Sequence, residues 1–161
     1  LNYSPKLEEF LFWCQQLIAE SLGKKGKGLL PTISNSPKDH HSVLQLYLDG
    51  PKDKIFYLFS ENVRKSNKIK TNIITKNLDY LNNKDLDDIK IAQKNAIKKV
   101  LIKNKIPFRE FKINSFDEKT LGELFSYFIL ETSISGRLVN INPFNQPAVE
   151  QVKIFTKKLL S

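Results

Sequence analysis

Glu20 stands four residues after Gln16 in the segment Gln16-Leu17-Ile18-Ala19-Glu20-Ser21-Leu22-Gly23-Lys24, so on a helix the amide and the carboxylate share a face. Gly23 sets Glu20 near a helix carboxyl end, where the macrodipole disfavours an anion. A carboxylate disfavoured in this way is a better proton acceptor, which is what a general base requires. A solvated glutamate at a helix end is the ordinary alternative. A second group, Asp39-His40-His41-Ser42, holds both histidines of the chain. At a predicted helix N-terminus the imidazolium is disfavoured, which keeps a neutral ring available to give or take a proton. Adjacent histidines diverge on a helix, and no cysteine or acidic cluster stands at ligand spacing, so no zinc site is expected. A surface histidine beside a helix cap would look the same. In a third group, residues 136–153, Glu150 and Lys153 share a helix face, and a surface ion pair explains them on periodicity alone.

The elements that must position these groups are legible from punctuation and period. Ser4-Pro5 reads as a helix start, a capping hydroxyl followed by proline at the first helical position, with Glu8 and Glu9 in the first turn. Leu7, Phe10, Leu11, Cys14, Leu17 and Ile18 recur at helical spacing until Gly23, with Gly26 and Gly28 in the turn beyond. Residues 29–33 read as a short strand. Asp39 is the expected N-cap of a helix over residues 40–48, closed by Gly50 and Pro51. The unbroken apolar run Ile55-Phe56-Tyr57-Leu58-Phe59 predicts an interior strand covered on both faces. Residues 61–84 turn polar and asparagine-rich, with one strand expected at 73–75. A helix over 86–103, a strand over 108–113, a helix over 118–135 and a last helix over 147–160 follow. Helices alternating with buried strands predict an α/β fold with a mostly parallel sheet flanked by helices.

Composition narrows the function classes. With 161 residues, 40% hydrophobic and 11% aromatic, the chain can bury a real core in one domain. No apolar run approaches the ~20 residues that span a bilayer and no signal-peptide pattern opens the chain, so no membrane partner is expected. Cys14 is the single cysteine, which excludes an internal disulfide, suits a reducing compartment, and reads as a small buried hydrophobe. The net charge of +9 raises a nucleic-acid hypothesis. Its placement argues against one: lysines are spread along the chain, arginine is scarce, and no stacking aromatic interleaves the basic loop 64–70. Leu1 is not Met and the chain starts directly on a helix signal, which reads as a segment of a longer polypeptide.

The stretch from Gly136 through Asn142-Pro143-Phe144-Asn145-Gln146-Pro147-Ala148-Val149-Glu150 to Lys153 resembles the C-terminal signature of the phosphoglucose isomerase family, with Asn145 where aspartate is common and Ala148 where glycine is common. Gln16…Glu20-Ser21-x-Gly23-Lys24 is similar to that family's catalytic-glutamate motif. His41-Ser42, with Asp39 before and Gln45 after, resembles its histidine motif. The three stand in the family's order at comparable spacing, from about Gln15 to Lys153.

The resemblance implies roles for individual residues. Glu20 is expected to move a proton between C2 and C1 of a sugar phosphate through a cis-enediol, and His41 to help open the pyranose ring. Lys153 would assist at the ring or C1 oxygens, Gln16 would contact the sugar, and no metal or organic cofactor is implied. By the same resemblance, residues 1–161 form one C-terminal sugar-isomerase domain of three-layer α/β/α type. The phosphate loops and an arginine near the enediolate belong to a preceding half, so the isolated chain is expected to be inactive. A cytoplasmic homodimer with the histidine supplied by the neighbouring subunit is also implied. Glu20 and Lys153 should then converge within one chain, with His41 projecting elsewhere. A non-catalytic sugar-phosphate-binding module is the alternative, and specificity for glucose 6-phosphate alone or also mannose 6-phosphate stays open.

Overall fold

The computed structural model describes residues 1–62 and 76–161, which gather into two compact units. Residues 1–7 and 34–116 make the first, and residues 8–33 and 117–161 the second. The strand expected at 73–75 and the basic loop 64–70 lie outside the described residues.

The first unit is built on the apolar run. Strand β1 (Phe56–Glu61) pairs in parallel with β2 (Phe108–Ile113), in a register that sets Phe56 beside Phe108 and Glu61 beside Ile113. On its other edge β1 meets the start of the chain: Leu1 donates to Tyr57 O at 2.7 Å, Phe59 N to Leu1 O at 2.9 Å and Tyr3 N to Phe59 O at 2.8 Å. Backbone groups of successive strand residues point to opposite edges, so β1 is an interior strand, as its sequence predicts. Helix α3 (Leu86–Lys103) makes the parallel connection. It starts at a reciprocal cap between Asp85 and Asp88 and ends at Lys105, whose φ of 55° lets Ile106 N reach back to Leu101 O at 2.9 Å. Phe56, Leu58, Ile97, Leu101 and Ile106 form the core, with Tyr47 and Leu48 of helix α2 (Leu44–Asp49) against it. The α/β class with parallel strands is what the structure has, in a small sheet.

The second unit packs helix α1 (Glu8–Leu22) on helix α4 (Glu118–Leu138). Phe10 meets Phe125 and Phe128 edge-on at 5.3 and 5.7 Å, and Trp13 meets Phe125 at 4.4 Å. Cys14 is buried in this unit as expected, and burial with Glu131 nearby pushes its thiol up to about 12. Helix α5 (Pro147–Leu160) starts with proline at its first position, at the bounds the sequence predicts, and all its residues are exposed.

Three local expectations are corrected. The Ser4 hydroxyl does not cap a helix; it is buried and unbonded, and a 3-10 turn (Pro5–Leu7) precedes α1. Residues 29–33 are not a strand: Leu29 and Leu30 are 62% and 89% exposed, and only Asn35 makes a bridge, to Asn2. The helix expected over 40–48 is split into a 3-10 turn (Lys38–His41) and α2. The Asp39 carboxylate accepts backward from Asn35 N at 2.7 Å and, with its other oxygen, from the Ser42 hydroxyl at 3.4 Å, while α2 has Val43 at its N-cap position and no side-chain cap.

Candidate functional site

Glu20 lies in the last turn of α1, half-buried, with its whole carboxylate engaged. Gln16, one turn earlier, donates from Nε2 to Oε1 at 3.1 Å, as the four-residue spacing predicts. Gln146 donates from Nε2 to Oε2 at 2.8 Å across 126 residues of sequence. Gln146 is the residue just before α5, and its side chain caps no backbone group of that helix because it is turned to Glu20.

The local sequence explains why Gln146 arrives there. Helix α4 ends in a left-handed residue, Asn140 (φ 58°), with Asn140 N bonded to Arg137 O and Ile141 N to Gly136 O at 2.8 Å. That closing turn reverses the chain and buries Ile141. Gly136 has no side chain because one would press on Pro143: a Cβ there would lie 3.2 Å from Pro143 Cβ. Asn142 Oδ1 accepts from Phe144 N at 2.9 Å, tightening the Asn-Pro-Phe turn. Two lysines from the glycine-rich turn after α1 hold this loop from the other side. Lys24 Nζ donates to Asn142 O at 2.7 Å and Lys27 Nζ to Val139 O at 2.9 Å. Gly28, at φ 122°, lets that turn fold close against Gly23, which a Cβ would approach to 2.7 Å. Lys24 and Lys27 of this lysine run are thus staples onto carbonyls, with desolvation lowering the Lys24 ammonium from the ordinary lysine range.

Lys153 stands two turns along α5, about 10 Å of helix rise beyond Gln146. Its Nζ pairs with Glu150 Oε1 at 2.6 Å, and both side chains are more than 60% exposed. That is the surface ion pair periodicity alone suggested, and the ammonium's described partner is Glu150 rather than Glu20. A shallow groove beside it, lined by Val152, Lys153, Thr156 and Lys157, belongs to this one helix and encloses nothing. His41 closes the 3-10 turn of the first unit and is exposed. Its neighbour His40 is turned inward, with Nε2 2.7 Å from the Tyr3 hydroxyl. Among the described residues, no group of three His, Cys, Asp or Glu side chains could hold a metal ion, and no helix is long and apolar enough to cross a membrane.

The structure therefore joins Gln16 to Glu20, adds Gln146, and places Lys153 on the helix that Gln146 begins. Gln146 is the residue that sequence reasoning missed as a partner. The signal was an amide, rather than a serine, threonine or acidic cap, directly before a helix-initiating proline. Two amide donors fix the carboxylate plane, and each oxygen keeps a lone pair with which to accept a proton.

Fold and site together define an α/β protein with a helix-end carboxylate clamped through both oxygens by two side-chain amides. No protein-family model matches the chain. Nearly its whole length is similar to part of the glucose-6-phosphate isomerases, as the three motifs implied. The chain is 35% identical over 161 residues to the glucose-6-phosphate isomerase of Methanocaldococcus jannaschii, covering 99% of the chain and 39% of that protein. It is 37% identical to those of Mycoplasmopsis synoviae and Campylobacter jejuni, covering 36% and 41% of their lengths. The chain thus spans about two fifths of these relatives. Among solved structures, a hypothetical protein from Thermus thermophilus matches 99% of the chain with a TM-score of 0.84 at 28% identity. A glucose-6-phosphate isomerase from Chlamydia trachomatis matches with a TM-score of 0.77 at 15% identity, a likeness of fold.

Proposed function

We propose that the chain is the C-terminal sugar-isomerase domain of an enzyme that interconverts glucose 6-phosphate and fructose 6-phosphate, in glycolysis and gluconeogenesis. The single observation that carries this reading is the carboxylate of Glu20, held through both oxygens by Gln16 and Gln146 at the end of a helix. Aldose–ketose isomerisation needs one base that removes a proton next to a carbonyl and returns it to the adjacent carbon. Glu20 takes the C2 proton of the open-chain aldose, a cis-enediol forms, and the same carboxylate delivers a proton to C1. His41 opens the ring beforehand by moving a proton from the anomeric hydroxyl to the ring oxygen. Lys153 serves the oxygens at C1 and C2, and Gln16 contacts the sugar as well as steadying the base. The exposed Glu150 pair restrains Lys153 by no more than about 1 kcal/mol, so the side chain is free to swing.

The enzyme works as a cytoplasmic homodimer in which His41 serves the neighbouring subunit's Glu20. The groups that clamp the phosphate lie outside these 161 residues, as the family resemblance implies. Positioning supplies roughly 7–11 kcal/mol of such a barrier, so the chain by itself should be inactive even when folded. The test is a coupled assay with fructose 6-phosphate on the product of the complete reading frame that carries this chain, beside the 161-residue chain alone. Turnover by the first and none by the second is expected. Binding of the sugar phosphate without turnover by the first would leave the non-catalytic binding module instead.

A further inference from the structure

The motif resemblance favours His41 over its neighbour His40 without giving a physical reason for the choice; a 3-10 turn points consecutive side chains about 120° apart, so only one of them can face outward at a given place. The turn Lys38–His41 buries no residue and Pro37 offers no side-chain cap, so beyond its backbone bonds, Asp39 N to Asn35 O and His40 N to Pro37 O among them, side-chain contacts fix which way its side chains face. Its inward anchors are the Asp39 carboxylate on Asn35 N and the bond between His40 Nε2 and the Tyr3 hydroxyl. Tyr3 is itself immovable, 1% exposed and hydrogen-bonded through its backbone into the edge of β1. Its ring meets the His40 ring edge-on at 5.7 Å, so hydrogen bond and ring contact fix the same side chain. With His40 held inward, His41 is left on the exposed side.

We infer that Tyr3 is a positioning residue: by binding His40 it selects His41 as the imidazole offered to substrate. This deepens the proposed isomerase reading and rests on it for the role of His41. The bond joins two neutral groups over the neutral range. Burial raises the Tyr3 phenol to about 12, while burial with His41 alongside lowers His40. Its strength is therefore that of an ordinary buried hydrogen bond, enough to set a turn's rotation without carrying the fold.

Tyr3→Phe keeps the ring and removes the hydroxyl; His40→Leu removes the other partner; His40→Gln keeps a group the hydroxyl can bond. In the product of the complete reading frame, kcat/KM is measured with glucose 6-phosphate carrying hydrogen or deuterium at C2. If Tyr3 positions the ring-opening imidazole, Tyr3→Phe and His40→Leu lower kcat/KM about ten-fold, part of the 10²–10⁴ that a placed acid–base group supplies. The deuterium effect falls towards one, because ring opening, which does not touch the C2 hydrogen, becomes limiting. His40→Gln loses less than His40→Leu. A variant that merely populates less folded protein lowers the rate with the deuterium effect unchanged, and that outcome overturns the proposal. If the wild-type protein has no isomerase activity, the functional reading fails and imidazole ¹⁵N spectra decide the positioning claim separately. One dominant His40 tautomer in the wild type and a mixture in Tyr3→Phe are then expected, whereas identical spectra would contradict it.

Discussion

Gln146 Nε2 lies 2.8 Å from Glu20 Oε2, tying the residue that opens α5 to the last turn of α1. The contact makes one structural object of two sequence motifs that lie 126 residues apart. It depends on the turn after α4, on the Gly136–Pro143 contact, and on Lys24 and Lys27 gripping the same loop. Replacing Gln146 by Ala should therefore free one carboxylate oxygen while leaving the fold intact, since Gln146 is exposed and caps nothing in its own helix. In the active protein, kcat should fall about ten-fold, because misplacing a reacting group by 1 Å can cost up to 10²-fold. Thermal unfolding should shift little. A large loss of stability with unchanged specific activity would instead make the contact purely architectural.

Gly136→Ala sets two effects against each other. Alanine favours a helix interior by about 1 kcal/mol. The new Cβ would meet Pro143 Cβ at 3.2 Å and Ile141 O at 3.3 Å, and overpacking of this kind costs about 1–3 kcal/mol. The contact atoms belong to a backbone carbonyl and a proline ring that cannot swing away, so net destabilisation of about 1 kcal/mol is expected. A lower urea midpoint with an unchanged slope is the signature, and a raised midpoint would mean that the loop yields.

Glu110 sits between Lys94 and Lys98 at 2.9 and 2.5 Å, with Lys94 only 8% exposed. Burial alone would raise the carboxyl, but the two ammonium donors leave it below its ordinary 4.5. The folded state thus holds this proton less tightly than the unfolded chain, and the stabilisation is complete above pH 4.5 and lost as pH falls through the lowered folded value. Glu110→Ala should cost about 2 kcal/mol at neutral pH, because it leaves Lys94 buried without its partner. The variant should also lose less stability on acidification than the parent. Parallel stability curves for the two proteins between about pH 3 and 6 would remove Glu110 from the acid response.

Strong local signals were legible in the sequence. The bounds of α3, β2 and α5 follow from caps, proline and period, and the interior position of β1 follows from its unbroken apolar run. What failed were places whose outcome depends on which partner is nearby. Asp39 looked like a forward cap, yet the backbone N–H of Asn35 behind it was the nearer donor. Residues 29–33 have strand composition without a neighbouring strand to bond. At the candidate site the Gln16–Glu20 pair could be read from spacing, because one helix supplies both groups. The Gln146 contact and the bond that turns His40 to Tyr3 could not, since each is made with a tertiary neighbour far off in the chain, although motif resemblance had already favoured His41 over His40.

The most direct measurement is made on Glu20→Gln in the product of the complete reading frame. Glutamine preserves the shape and can keep one of the amide contacts, but it cannot accept the C2 proton. Turnover of glucose 6-phosphate, and exchange of its C2 hydrogen with solvent, should both fall by about 10²–10⁴-fold. The dissociation constant for the sugar phosphate should change only slightly. Unchanged kcat and unchanged exchange in this variant would contradict the account, because proton transfer would then be the work of some other group.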